Sequence, residues 1–145
     1  TVERTLLAIT HELAHALEIS FHKHLNDIRL KQEFVVKRRR LFDLLANQYK
    51  DIKKFNNRNL DYDEGLDAYF ANTIGLEKLE RYTLKMFVSP YSATCLSEYI
   101  AEGFENYLLG DHNSLKSFSP ILYMKIQEMV EGSVTGDSQG KNIIF

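Results

Sequence analysis

The stretch Leu6-Leu7-Ala8-Ile9-Thr10-His11-Glu12-Leu13-Ala14-His15-Ala16-Leu17 is apolar nearly throughout, and two histidines and a glutamate are set into it. From Val2 to about Leu25 the apolar residues do not keep to one side, which predicts a central, buried helix. Residues four apart share a helix face, so His11 and His15 can reach one ion. Neutral imidazole suits zinc. Glu12 points to the same side, where a water would sit. Zinc lowers the pKa of such a water to about 7, and a carboxylate can then take its proton. The motif His11-Glu12-Leu13-Ala14-His15 is HExxH, a pattern that also arises by chance in helices. Two histidines and a glutamate on an otherwise apolar helix are costly, however, unless something pairs with them.

A catalytic zinc wants three protein ligands and an open fourth position. The continuation HExxHxxGxxH is absent, because Glu18 and Phe21 stand where its glycine and third histidine would fall. The third ligand is therefore expected elsewhere. The best candidate lies in Ser97-Glu98-Tyr99-Ile100-Ala101-Glu102-Gly103-Phe104, where Glu98 and Glu102 share a helix face among apolar neighbours. Two carboxylates there invite a cation, and the alternative is a pair of solvated acids at the helix edge.

The rest of the chain reads as helical. It has only two prolines and seven glycines, and no segment alternates as a strand does. Ile28 to Phe55 carries apolar residues at three- and four-residue intervals, as one amphipathic helix or two. Asn56-Asn57-Arg58-Asn59 marks a loop, and Asp63 is a cap for a short helix with Leu66, Tyr69 and Phe70. Leu76 to Val88 is a further amphipathic segment. Thr94 is a candidate N-cap for a helix over 95–109, with Gly110 as its stop. Ser119-Pro120 opens the last helix, which runs to about Glu131. Residues 1–132 are expected to form one domain, and 133–145 a mobile tail. The basic run Lys37-Arg38-Arg39-Arg40 is read as a solvated helix face.

The chain has 145 residues, 44% apolar and 26% charged, with a net charge of −2. That suits one globular domain and gives no reason to expect nucleic acid as partner. The single cysteine, Cys95, excludes an internal disulfide and is expected to be a structural thiol. No apolar run is long enough to span a bilayer, and no signal peptide is visible. The chain reads as a processed or excised piece whose upstream part completes the site. His22 and His24, two apart, point in different directions on a helix and are read as surface groups. His112 is expected to be solvated in a turn. Glu18 either orients a ligand imidazole or is a surface acid.

Together, the HExxH helix, the helix Glu98 to Phe104 and Tyr91, seven positions before Glu98, resemble the anthrax lethal factor-like zinc metallopeptidases, which include the clostridial Pro-Pro endopeptidases. The resemblance covers Ile9 to Leu17 and Tyr91 to about Val130. It implies a zincin-like, gluzincin-type endopeptidase with one zinc held by His11, His15 and Glu98. It makes Glu12 the general base and Tyr91 a donor to the oxyanion. Glu102 becomes a supporting group behind the ligands rather than a ligand. The fold implied is mainly α, the helical half of a domain whose small N-terminal β part is missing from this chain. The implied substrate is a peptide or protein, cut by a toxin-type protease that is secreted or delivered into a target cell, with a cytoplasmic enzyme as the other option. Eighty-two residues separate His15 from Glu98, more than the family pattern suggests. Two alternatives stand beside the protease: a weak or inactive partner-binding module of the same fold, and a helical interaction domain with a chance HExxH.

Overall fold

The computed structural model describes residues 1–20, 26–55, 60 and 63–131, with backbone alone for 17–20. His22, His24, the loop at 56–59 and the tail 133–145 lie outside the described residues. Among those described there is no strand, and the fold is mainly helical, as the sparse glycine and proline predict. No helix among them is long and apolar enough to cross a membrane.

The order is α1 (Val2–Ser20), α2 (Ile28–Ala46), a 3-10 turn (Lys50–Phe55), α3 (Glu64–Ala68), a π-helical stretch (Tyr69–Gly75), α4 (Leu76–Thr83), a 3-10 turn (Tyr91–Ala93), α5 (Leu96–Leu109), α6 (His112–Phe118) and α7, residues 120–131. The caps follow side-chain chemistry. Asp27 accepts from Arg29 N at 2.7 Å to open α2, and Asp63 accepts from Leu66 N at 2.9 Å to open α3. Gly75 sits at φ 85°, in the left-handed region open to glycine, where the π-helical stretch passes into α4. α4 ends at Thr83, short of the expected Val88, and Lys85 turns the chain with φ 64°.

The core is built on α2, whose Leu30, Phe34, Leu41, Phe42 and Leu45 are fully buried at helical spacing. α5 adds Tyr99, Ile100 and Phe104, and α7 adds Leu122 and Ile126. Gly103 lets α7 approach α5 closely, since a Cβ there would stand 2.5 Å from Leu122 Cδ2 and 3.1 Å from Ile126 Cδ1.

A polar network threads this core. Glu33 accepts from the Tyr99 hydroxyl at 2.6 Å and from the backbone N–H of Ile121 and Leu122 at 2.7 and 3.2 Å, so one α2 carboxylate caps α7 and pins α5. Lys37 Nζ donates to Tyr99 Oη at 3.0 Å and to Ser119 Oγ at 2.5 Å, and burial pushes the Lys37 ammonium down to about 8.

Two expectations are corrected. The basic run is not one solvated face. Arg38 is wholly buried, pairs with Asp67 at 2.6 Å and lies over the rings of Phe34 and Phe70, while Arg39 and Arg40 are exposed. Nor is α1 buried all round. Its Thr10 and Ala14 are buried, and α5 is the element it chiefly packs on. Val2, Leu6, Ile9 and Leu13 form a stripe on its outer side that is 86, 49, 58 and 50% exposed.

Candidate metal centre

Two helices meet to form the site. α1 brings Leu7, Thr10, His11, Ala14 and His15 to one side by helical spacing. Ala14, 1% exposed, lacks the bulk to keep α5 away. α5 is capped by Cys95, whose Sγ accepts from Glu98 N at 3.5 Å. Thr94, the expected cap, instead donates its hydroxyl to the Tyr91 carbonyl at 2.7 Å. Glu98 thus lies in the first turn of α5, where the helix dipole favours a carboxylate.

His11 Nε2 stands 3.1 Å from His15 Nε2 and 3.0 Å from Glu98 Oε2, and His15 Nε2 is 3.4 Å from Glu98 Oε1. On the other edge of the ring, His11 Nδ1 faces Glu105 Oε2 at 3.3 Å and Glu102 Oε2 at 3.8 Å. Carboxylates thus face both ring nitrogens, two at Nδ1 and one at Nε2, and the tautomer protonated at Nδ1 leaves a lone pair on Nε2 beside His15 and Glu98. His15 Nδ1 lies 3.1 Å from Ser97 Oγ, so its Nε2 also turns toward Glu98. Electron-rich atoms therefore converge in a half-buried place, and Glu98 Oε2 is buried without a hydrogen-bond donor. Such an arrangement is unfavourable unless a cation neutralises it. Ligand atoms around a tetrahedral zinc with bonds of 2.0–2.1 Å lie about 3.3 Å apart. Two imidazoles and one carboxylate suit zinc as a donor set. His11, His15 and Glu98 fit the ion.

The cleft in front of these atoms holds about 420 Å³ and is lined by Leu7, Ala8, Glu12, Tyr91 and the carboxylates of α5. Glu12 is on the exposed side of His11, at the cleft wall. The Tyr91 ring lies 5.8 Å from the His11 ring at 31°. Burial, and then the charge of Glu98 and a hydrogen bond to it, push the Tyr91 phenol up to about 12. All five residues expected at the centre (His11, Glu12, His15, Tyr91 and Glu98) are thus brought to one cleft.

Glu102 has a particular place. Its Oε1 accepts from Ser89 Oγ at 2.8 Å, and Ser89 Oγ accepts from Ser92 N at 3.2 Å. The carboxylate thereby ties the loop that carries Tyr91 to α5. Burial first, and a hydrogen bond with Glu105 second, push the Glu102 carboxyl up to about 7.

Glu105 is the site residue that sequence reasoning missed. It lies seven positions after Glu98 and three after Glu102, on the same face of α5, and that spacing was the available signal. His112, expected in a turn, begins α6 and stacks on Tyr107 at 4.8 Å and 19°, away from the cleft. Cys95 is half-buried, and burial raises its thiol, as befits a structural group. No family model, no curated protein and no solved structure matches this chain.

Proposed function

We propose that the protein is a zinc-dependent endopeptidase of the lethal factor-like type. The observation that carries this reading is the convergence of His11 Nε2, His15 Nε2 and the Glu98 carboxylate within 3.0–3.4 Å at the wall of an open cleft. His11, His15 and Glu98 would hold the ion. When bound, zinc supplies Lewis acidity toward the scissile carbonyl and acidifies a water. Glu12 takes the proton of the attacking water and passes it to the leaving amine. Tyr91, a phenol that is protonated at neutral pH, turns its O–H from Glu98 to the developing oxyanion, a contact worth about 3 kcal/mol for one donor. The substrate is a peptide or protein segment laid along the cleft. A secreted or delivered toxin-type protease is the setting the resemblance favours.

A second reading is a metal-holding module that docks a partner and cleaves nothing. It is favoured by the exposed stripe of Leu6, Ile9 and Leu13 on the motif helix. Metal analysis and a peptide library separate the possibilities. The protease reading expects about one equivalent of zinc per chain and cleavage that disappears in Glu12→Ala while zinc is retained. Zinc without cleavage favours the docking module. Absence of zinc from protein refolded with excess metal rejects both.

A further inference from the structure

The two nitrogens of His11 face different partners, and the side away from Glu98 is not equally shared. Glu105 Oε2 is 3.3 Å from Nδ1, whereas Glu102 Oε2 is 3.8 Å away and its other oxygen is engaged by Ser89 at 2.8 Å. An imidazole ring can turn about its last torsion with little preference between two orientations. Without an acceptor at Nδ1 it can present either nitrogen to the metal. A carboxylate there selects the tautomer with Nε2 free and strengthens Nε2 as a donor.

We infer that Glu105 is the positioning residue of the metal centre, accepting the His11 Nδ1–H and aiming Nε2 at the ion, while Glu102 serves the Tyr91 loop. This rests on the metal-centre reading above. Glu105 touches neither metal nor substrate. It is 21% exposed, so solvent partly screens the pair, and the effect falls within the range for supporting carboxylates, a tenfold to hundredfold change in metal affinity.

Zinc affinity is measured by competition with a chromophoric chelator for the wild type and for E105A, E105Q and E102Q, after thermal unfolding of each metal-free protein has shown it to be folded. E105A is expected to bind zinc ten- to a hundredfold more weakly. E105Q, which keeps an acceptor but loses the charge, is expected to lie between E105A and the wild type. E102Q should stay within about threefold of the wild type, the change expected when the closer acceptor is kept. In zinc-loaded protein with ¹⁵N-labelled histidine, a slowly exchanging His11 Nδ1–H resonance is expected in the wild type and E102Q and lost in E105A. Equal zinc affinity in wild type and E105A overturns the assignment while leaving the metal centre standing. A larger loss in E102Q than in E105A overturns it in favour of Glu102. A wild-type protein that takes up no zinc overturns the metal centre and this inference together.

Discussion

Tyr91 tests the division between packing and chemistry at the scale of one atom. Its ring rests against His11, and only its hydroxyl reaches toward Glu98. Tyr91→Phe keeps the ring and removes the donor. It is expected to leave zinc content and unfolding temperature near wild type and to lower kcat by roughly ten- to a thousandfold. An unchanged kcat would make Tyr91 an ordinary packing residue. Lys37 gives a second residue-level expectation. Its folded pKa of about 8 lies below the ordinary 10.5, so at neutral pH the folded state bears the full cost of a buried charge. As pH rises from about 8 toward 10, the folded protein gives up that proton and the unfolded chain keeps it, so stability rises. Above about 10 the trend reverses, because Tyr69, Tyr91 and Tyr99 are all harder to ionise when folded. Between pH 7.5 and 9.5 (about the Lys37 window) the urea midpoint of the wild type should rise relative to that of Lys37→Met, the raised Cys95 thiol adding the same downward slope to both. Parallel curves would mean that Lys37 is not buried in solution. The shared faces of His11 with His15 and of Glu98 with Glu102 could be read from spacing, because helical periodicity brings residues four apart to one side whatever packs outside, whereas Tyr91 came only from the resemblance. The inward turn of Arg38 could not. Its partner Asp67 is twenty-nine positions away, and a run of four basic residues looks the same whether or not one of them meets a carboxylate inside.

At the scale of elements, the register of α5 against α7 depends on Gly103. A methyl group there would meet Leu122 Cδ2 at 2.5 Å and Cγ at 3.0 Å, both in a side chain that is itself buried. Gly103→Ala gains up to about 1 kcal/mol of helix propensity. Overpacking of a filled core costs about 1–3 kcal/mol, so net destabilisation is expected. Urea unfolding checks it, and a stability equal to or above wild type would show that Leu122 moves aside freely. Helix positions could be anticipated from turn chemistry, as at Asp63, Gly110 and Ser119-Pro120, because capping is a local interaction. The shortened α4 and the choice of Cys95 over Thr94 as cap could not, since they depend on how the loop from Leu84 to Ala93 packs. The outer stripe of α1 was hidden for a related reason. Composition shows that a helix is apolar on several sides, but only the tertiary arrangement decides which of those sides has a neighbour.

In the whole molecule, α1 leans mainly on α5, and the atoms that would share a metal lie at opposite ends of an eighty-two-residue stretch of chain. A bound ion would therefore act as a reversible cross-link closing a very large ring. A permanent link of that length is worth on the order of 4 kcal/mol through lost chain entropy. Its effect should fall almost wholly on α1, because α2, α5 and α7 are held together by their own buried side chains and by the Glu33 network. Metal removal should then detach the first helix without unfolding the rest. Amide hydrogen exchange over residues 2–16 is expected to accelerate strongly on adding chelator and to slow again with zinc, while α2 and α5 exchange as before. Uniform acceleration throughout would show that the ion supports the entire fold, and no acceleration that α1 needs no fastening. On the proposed reading the ion would also be a latch, and α1 with its Glu12 would stay in place only while the ion is bound.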